Sequence, residues 1–433
     1  MFTFCLKCCK IEIYYIIQTI TEKHIYMKEL LLPAGNPEKL TAALRYGADA
    51  VYLAGKVFGM RSAAANFSDE ELFDAVKYAH ALGKKVYITV NVTPHSDEYD
   101  ELERYLCLLK EVSPDALIIA DVGVFALAKK ILPDTQIHIS TQAGAVSHAD
   151  CSFWHDLGAS RVVLARELTF KEIEMIRDKT PADLELECFI HGSMCISWSG
   201  RCLLSTNITG RDANRGSCTQ PCRWKYNLYE IAEEKRPNLR FPIEENDLGT
   251  FIMSSRDMCM IEHIPELMKS GISSFKIEGR MKSAYYTAVC ANTYRIAMDK
   301  YIASPENYSY DPLWLRELES VSHREYCTGF YFDSPSDNAQ TVTRDGYLLE
   351  KAYLAYAVSY DEKTGRATFK QKNKVVSGAE IELISPGMVG RPLTALDMQN
   401  EQGEAIESAP HPYMLFSIKV PFPVKEGDII RGI

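Results

Sequence analysis

The chain repeats one unit, a short apolar strand followed by an amphipathic helix, from about Met27 onwards. The predicted strands are Glu29–Leu32, Ala50–Leu53, Val86–Val90, Ala116–Ala120, Gln136–Ile139, Arg161–Leu164, Leu184–Ile190 and Ser274–Ile277. The helices predicted between them include Asp69–Leu82, Asp97–Glu111 and Thr169–Asp178. Ser68 is a suitable N-cap for the first of these helices because acidic residues follow in its first turn. Eight such repeats predict an α/β fold, a (β/α)8 TIM-like barrel.

A doubly wound open sheet is the competing fold for alternating strands and helices. No Gly-x-Gly-x-x-Gly follows the first predicted strand, which disfavours the dinucleotide-binding form of that sheet. A barrel also predicts that polar residues collect after the strands, on the face where such barrels place their sites. The polar residues in these positions are Asn91, His95, Asp121, Ser140, Thr141, Gln142, Arg166, Glu167, His191, Glu278 and Arg280.

The composition of the chain changes at three places, which predicts four segments. Residues 1–26 differ in pattern from the rest of the chain and are predicted to be a disordered extension, while residues 27–300 form the barrel. A mixed linker is predicted over residues 301–345. From residue 346 to 433, alternating apolar residues and glycine turns predict a small C-terminal β-barrel domain, with a hairpin turn at Asp361–Gly365.

The overall composition is that of a soluble globular protein, with 46% hydrophobic and 24% charged residues. The formal net charge of -10 gives no global attraction to nucleic acid, so an RNA-binding role needs a local basic patch. The apolar stretch Ile11–Ile20 is too short to span a bilayer. Thirteen cysteines without a secretory signal favour a reducing compartment, so we expect a cytoplasmic protein that makes no membrane contact.

A cysteine-rich insertion is predicted over residues 191–225, after the seventh strand. Four cysteines in it have the spacing C-x6-C-x15-C-x3-C: Cys195, Cys202, Cys218 and Cys222. A polar, glycine-rich loop buries little apolar surface, which favours metal ligands over core thiols. The spacing leaves zinc and an iron–sulfur cluster open, because only the last pair resembles a zinc pair. Cys188 is predicted to be a core residue, and Cys259 is a spare candidate ligand.

Basic residues around these cysteines suggest an anion site, with a solvated loop as the alternative. Lys276 and Glu278 project to the same side of the last strand, either as a buried ion pair or as a substrate clamp. The predicted substrate-binding residues are Arg166, Arg201, Arg215 and Lys276. The residues predicted to be catalytic, on barrel position alone, are His191, Glu278 and Arg280.

Several motifs together resemble the collagenase-like peptidase family U32. They cover the chain from Met27 to its C-terminus and are Leu31-Leu32-Pro33-Ala34-Gly35-Asn36, Gly47-Ala48-Asp49-Ala50-Val51-Tyr52, Glu187-x-Phe189-x-His191-Gly192-x-x-Cys195, Ser199-Gly200-Arg201-Cys202, Cys218-Thr219-Gln220-Pro221-Cys222-Arg223-Trp224 and Phe275-Lys276-Ile277-Glu278-Gly279-Arg280. Within that family, the chain looks most like the tRNA-hydroxylating branch.

The resemblance implies an enzyme that converts the wobble uridine of certain tRNAs to 5-hydroxyuridine, with prephenate as the source of the hydroxyl group. It also implies a [4Fe–4S] cluster on Cys195, Cys202, Cys218 and Cys222, and a second protein of the same family as a further partner. Two other functions remain open. One is the peptidase that the family name indicates, although no nucleophile–base pair is evident. The other is a non-catalytic, cluster-bearing protein that binds RNA or a partner.

Overall fold

The computed structural model describes residues 28–60, 65–195, 202, 204–223, 231–233, 236–241, 245–246, 249–250, 255–332, 348 and 351–433. The prediction made for residues 1–26 therefore lies outside the described residues. Seven parallel strands come first: β1 (Glu29–Pro33), β2 (Ala50–Leu53), β3 (Lys85–Val90), β4 (Ala116–Ile119), β5 (Gln136–Ile139), β6 (Arg161–Val163) and β7 (Glu185–Ser193). Five short strands follow: β8 (Ile231–Glu233), β9 (Arg236–Phe241), β10 (Glu245–Asn246), β11 (Gly249–Thr250) and β12 (Asp257–Cys259).

Strand β13 (Ser274–Ile277) closes the barrel, because it pairs in parallel with both β7 and β1. The (β/α)8 barrel predicted from the repeats is thereby confirmed. Strand β7 extends beyond its predicted end at Ile190, because β12 pairs antiparallel with its last three residues. Strand β14 (Tyr326–Cys327) then adds to β12, so that the sheet continues outside the ring.

Helices cover the outside of the barrel, except the short helix that follows Cys202, which lies in the insertion at the barrel mouth. They are α1 (Pro37–Arg45), α2 (Asp69–Ala81), α3 (Tyr99–Val112), α4 (Val122–Ile131), α5 (His148–Asp156), α6 (Phe170–Lys179), α7 (Leu204–Thr209), α8 (Ile264–Lys269), α9 (Ala284–Ala303) and α10 (Pro312–Glu319). Ser68 is the N-cap of α2, as predicted: its hydroxyl accepts from the amide of Glu71, and its own amide donates to the Glu71 carboxylate. None of the helices in the described part of the chain combines the length and apolar character needed to cross a lipid bilayer.

A buried ion network fills the interior of the barrel below its mouth. The guanidinium of Arg161 donates to the carboxylates of Glu29 at 2.6 Å and Glu187 at 2.9 Å. Lys276 Nζ donates to the other oxygen of Glu187 at 2.8 Å. Burial opposes ionisation of Glu29, but the Arg161 charge still holds the pKa of that carboxyl below its ordinary value. Charges buried this deeply require partners, and here each partner is supplied by another barrel strand.

The C-terminal domain is a curled antiparallel sheet with its own apolar core, in agreement with the predicted small β domain. Its strands are β15 (Tyr353–Asp361), β16 (Arg366–Gln371), β17 (Val375–Val376), β18 (Glu380–Ile384), β19 (Arg391–Thr394), β20 (Ser408–Ala409), β21 (Leu415–Lys419) and β22 (Ile429–Gly432). The predicted hairpin turn joins β15 to β16, and Gly365 has φ +66° there, a conformation that favours glycine.

The domain packs on the barrel through α1 and α9. Arg45 forms an ion pair with Asp428 at 2.6 Å, and Tyr46 Oη donates to backbone carbonyls of Ile384 and Gly427. Asn292 of α9 donates to the carbonyl of Met388 at 2.7 Å. Because these contacts involve buried or half-buried side chains on both sides, the C-terminal sheet has a defined position beside the barrel.

Candidate functional site

A cavity of about 170 Å³ opens at the carboxyl ends of the barrel strands. Its floor is formed by inward-facing residues of the strands: Tyr52, Thr89, Ile118, Phe189 and Lys276. Its wall includes many of the polar residues that follow the strands: Asn91, Ser140, Thr141, Gln142, Arg166, Glu278 and Arg280. The sequence therefore predicted much of the wall from barrel geometry, because parallel strands present their carboxyl ends at one face.

The four cysteines of the insertion line this same cavity. They are Cys195, Cys202, Cys218 and Cys222, and each is at least partly exposed. The backbone N–H of Gln220 donates to Cys218 Sγ at 3.4 Å, an arrangement that stabilises a negatively charged sulfur. Gln220 has φ +55°, so the loop takes a strained conformation beside this thiol.

The donor set suits an iron–sulfur cluster better than a hard cation, since it consists of thiols on one cavity wall. Within the described ranges, no group of three or more His, Cys, Asp or Glu side chains is arranged to hold a metal ion. The assignment of the four cysteines as cluster ligands thus stays a prediction.

A second cavity, of about 350 Å³, adjoins the first on the outer side of the cysteines. The two cavities share Met60, Arg166, Cys195, Cys218, Cys222 and Glu278. The outer cavity is also lined by Met194, Met281 and Lys282, whereas strand residues form the floor of the inner one. The shared thiols are therefore approachable from two sides.

Arg166 and Glu278 lie where the two cavities meet. Their side chains form an ion pair, with Arg166 Nη2 to Glu278 Oε2 at 3.0 Å. Arg166 also donates to the carbonyl of Ser193 at 2.9 Å, and its guanidinium lies 3.8 Å from the centroid of the Phe189 ring. These contacts fix the planar guanidinium between the cavities, in a position to bind an anionic ligand.

Lys276 and Arg280 place two further cations on the inner cavity. Lys276 Nζ is held by Glu187 and lies 4.6 Å from the centroid of the Tyr52 ring. Arg280 is buried, and its guanidinium donates to Thr89 Oγ1 at 3.2 Å. Lys276 forms a buried ion pair, but with Glu187, while Glu278 pairs with Arg166. Lys276 also lines the cavity, and its role as a substrate clamp stays a prediction.

His191 lies apart from the residues that line the two cavities in the described part of the chain. Its ring is 1% exposed and packs against the rings of Tyr286, Tyr294 and Tyr326. Its Nε2 atom has no hydrogen-bond partner among the described residues. Burial lowers the pKa of His191 to about 3, so the ring is neutral at physiological pH. Its predicted catalytic role remains untested, and this location favours a structural one.

The other two predicted substrate-binding residues are Arg215 and Arg201. Arg215 donates to the Glu98 carboxylate at 2.6 Å and lies 2.8 Å from His95 Nδ1, which ties the insertion to the segment after β3. Arg201 lies outside the described residues. Neither arginine is placed on the cavity by the described residues, so both substrate-binding assignments stay predictions.

Cys188 and Cys259, which lie outside the group of four, are buried. Cys188 is a core residue, as predicted, and burial raises the pKa of its thiol to about 12. Cys259, the spare candidate ligand, is 8% exposed in β12, and its Sγ lies 3.8 Å from Tyr294 Oη. Burial likewise raises the pKa of Cys259 to about 12, which disfavours the thiolate that a metal requires.

Apart from Lys276, sequence reasoning missed the floor of the cavity, and it also missed Met60. Thr89 and Ile118 belong to strand ends, and Met60 to the segment after β2. Counting back two positions from the polar residue after each strand would have found the inward-facing Thr89, because side chains alternate along a strand. Met60 carries no comparable signal.

Sequence models of two protein families match almost the whole chain. The model described as "Peptidase family U32" matches residues 35–341, and that described as "Peptidase family U32 C-terminal domain" matches residues 350–431.

Three curated relatives show how far the similarity extends. A "tRNA hydroxylation protein P1" from Bacillus subtilis is 38% identical over 403 residues, which are 93% of this chain and 94% of that protein. A "tRNA hydroxylation protein P" from Escherichia coli is 36% identical, over 89% of this chain and 92% of that protein. A "23S rRNA 5-hydroxycytidine C2501 synthase" from Escherichia coli is 36% identical, over 63% of this chain and 40% of that protein.

Proposed function

Since this chain belongs to peptidase family U32, we propose that it is an RNA-modifying enzyme that hydroxylates tRNA. More specifically, it converts the wobble uridine to 5-hydroxyuridine, with an iron–sulfur cluster as cofactor and prephenate as the hydroxyl source. The observation that carries the proposal is the meeting of the four cysteines with three cationic side chains at one cavity. The names of the relatives, two of tRNA hydroxylation proteins and one of an rRNA hydroxycytidine synthase, support the reaction class.

The proposed cluster is held by Cys195, Cys202, Cys218 and Cys222. When bound, it supplies redox and Lewis-acid capacity that the side chains of the cavity lack. The segment that carries Cys218 and Cys222 includes the N–H group of Gln220 directed at Cys218, and hydrogen bonds of this kind tune such centres.

The inner cavity is proposed to bind the small co-substrate. Prephenate carries two carboxylates, and the inner cavity presents the cations Arg166, Lys276 and Arg280. Two of these cations are held by carboxylates of the protein, which fixes their direction: Glu278 holds Arg166 and Glu187 holds Lys276. The side-chain amides of Asn91 and Gln142, joined at 2.7 Å, add a polar wall for the remaining oxygens.

The outer cavity is proposed to receive the uracil base. A base undergoing chemistry must leave the stack, and an anticodon loop already presents unpaired bases. The methionines Met60, Met194 and Met281 offer an apolar and polarisable lining for a flat ring. The carboxylate of Glu278 lines both cavities and is the proposed acceptor for a proton from the base.

The experiment is an analysis of tRNA nucleosides by mass spectrometry from a strain that lacks the gene. We expect 5-hydroxyuridine and its derivatives to disappear, to return with the wild-type gene, and to stay absent with Cys218→Ser. Cys107→Ser is the matched control, because Cys107 is an exposed cysteine on α3. Unchanged 5-hydroxyuridine in the deletion strain would refute the proposal. Peptide cleavage that survives replacement of the four cysteines would favour the peptidase.

A further inference from the structure

One side of the C-terminal sheet carries a cluster of tyrosine and lysine side chains, here called the tyrosine–lysine face: Tyr356, Lys370, Lys372 and Tyr413. Lys370 of β16 is the cross-strand partner of Tyr356 in β15. Lys372 Nζ lies 5.6 Å from the centroid of the Tyr356 ring and 5.1 Å from that of Tyr413. Lys370 Nζ lies 5.5 Å from the Tyr413 centroid. The four side chains therefore alternate ring and cation at cation–π distances.

The apolar core of the domain does not require this cluster. Phe369 and Gln371, which alternate with the two lysines along the chain, are buried in the sheet interior. Tyr413, by contrast, is 60% exposed. It has φ +63°, in the left-handed region that disfavours residues with a Cβ, and its amide donates to the carbonyl of Gln371 at 3.0 Å. The chain thus holds an aromatic ring outward at a cost in backbone energy.

The charge of this side of the sheet opposes the charge of the whole chain, which is formally -10. Four cations lie on it: Arg366, Lys370, Lys372 and Lys419. Three carboxylates accompany them: Asp397 contacts Arg366 and Lys419, Glu38 contacts Lys372 at 2.8 Å, and Asp361 is the cross-strand partner of Arg366. One positive charge remains in excess. Lys370 has no carboxylate partner among the described residues. A local excess of positive charge is what an RNA contact requires in a chain whose net charge is negative.

The tyrosine–lysine face also has a defined position relative to the cavities. Glu38, which Lys372 contacts, lies in the first turn of α1, directly after the carboxyl end of β1. The next residue, Lys39, donates from Nζ to the carbonyl of Arg280 at 3.0 Å, and Arg280 lines the inner cavity. One edge of the face therefore meets the end of the barrel at which the cavities open.

We propose that the tyrosine–lysine face binds an unpaired segment of the RNA substrate, with bases stacked on Tyr356 and Tyr413 and phosphates contacted by Lys370 and Lys372. Aromatic rings and cations are the two elements by which proteins bind single-stranded RNA without reading its sequence. In this face Tyr413 is exposed and Tyr356 is half-buried. This inference rests on the proposed function in one respect, that the substrate is RNA. It adds a binding surface on the second domain, outside the cavities.

The test measures the affinity of the full-length protein for unmodified tRNA by filter binding at several salt concentrations. Tyr413→Ala is expected to raise Kd about fivefold or more, the effect of losing one base–ring stack. Lys370→Ala is expected to weaken binding and to lower the slope of log K against log salt by about 1, the effect of one phosphate contact. Tyr413→Phe keeps the ring and should leave Kd unchanged. Lys363→Ala removes an exposed lysine from the tip of the same hairpin and should leave the slope unchanged.

The outcomes separate this inference from the proposed function. If Tyr413→Ala and Lys370→Ala bind tRNA like the wild type, the inference is overturned, whereas loss of 5-hydroxyuridine in the deletion strain would still support the enzyme. If the face contacted a protein instead of RNA, both variants would also bind tRNA like the wild type, and the inference would be overturned. A wild-type protein that binds no tRNA would overturn the inference together with its premise.

Discussion

Two groups of cysteines in this molecule have opposite surroundings. The loop cysteines lie on a cavity at the barrel mouth and are Cys195, Cys202, Cys218 and Cys222. The interior cysteines are buried in strands and helices and are Cys151, Cys188, Cys259 and Cys290. Burial raises the pKa of every interior thiol, to about 12 for the first three and well above the ordinary value for Cys290. The interior group behaves as small apolar residues, and of these two groups the loop cysteines are the accessible ones.

Replacement of a loop cysteine gives the largest expected effect. Cys218→Ser and Cys222→Ser, each purified without oxygen, should lose nearly all of the about four irons per chain that a [4Fe–4S] cluster holds. Absorption near 400 nm should be lost with the iron, since it comes from thiolate–iron bonds. Cys107→Ser, at an exposed position on α3, should retain both. One zinc per chain without colour, or full iron in both variants, would show that the loop group is not the cluster site.

Alkylation of the metal-free protein tests the same comparison without any assumption about the cofactor. At about pH 8, a thiol with a pKa of about 12 has a thiolate fraction roughly a thousandfold below that of an ordinary cysteine. Cys195 and Cys218 are at least partly exposed, whereas Cys188 and Cys259 are buried with raised pKa values. Iodoacetamide should label the exposed pair about a hundredfold faster or more, as followed by peptide mapping. All of these cysteines should react at similar rates in concentrated guanidinium chloride. Equal rates in the native protein would contradict the burial of the interior group.

The sequence predicted the barrel well because its signals are local. Each strand is a short apolar run, and Ser68 caps α2 through a contact with Glu71, three residues away. The position of the four cysteines at the barrel mouth was also predictable, because their insertion follows the carboxyl end of a barrel strand. The contact partners of the site residues were not, because they are distant in sequence. Tyr294, which contacts His191, is 103 residues away, and no pattern within β7 indicates that β12 pairs with its end.

Two glutamates differ in the same way as the two groups of cysteines, one being buried and the other lying at the cavities. Glu187 is 0% exposed and bonds both Arg161 and Lys276, whereas Glu278 lies at the junction of the cavities. Glu187→Gln should lower the free energy of unfolding by about 3 to 5 kcal/mol, because it leaves two buried cations short of a negative partner. Glu278→Gln, the matched change at the mouth, should cost less, because the Glu278 side chain is partly exposed and the Glu187 side chain is not.

Denaturant unfolding followed by circular dichroism, with both variants in the same metal-free state, measures the difference between the two glutamates. Equal losses of stability would show that the mouth is as tightly coupled to the fold as the interior. A negligible loss for Glu187→Gln would mean that solvent reaches the network around Arg161.

The smallest expected effect concerns His191, which is buried like the interior cysteines. The rings of Tyr286, Tyr294 and Tyr326, here called the tyrosine cage, pack around it. Burial lowers its pKa to about 3, while in the unfolded chain it has the ordinary value of about 6.5. Between these values only the unfolded state binds the proton, so the free energy of unfolding falls by about 1.4 kcal/mol for each pH unit as the pH decreases from about 6.5.

His191→Phe keeps a ring in the cage and removes this contribution. The stability of the wild type relative to the variant should therefore decline steadily between about pH 6.5 and pH 5, with other titrating groups cancelling in the difference. A stability difference that does not change with pH would show that His191 is protonated in the folded protein. His191 would then be accessible to solvent protons, as a catalytic role requires.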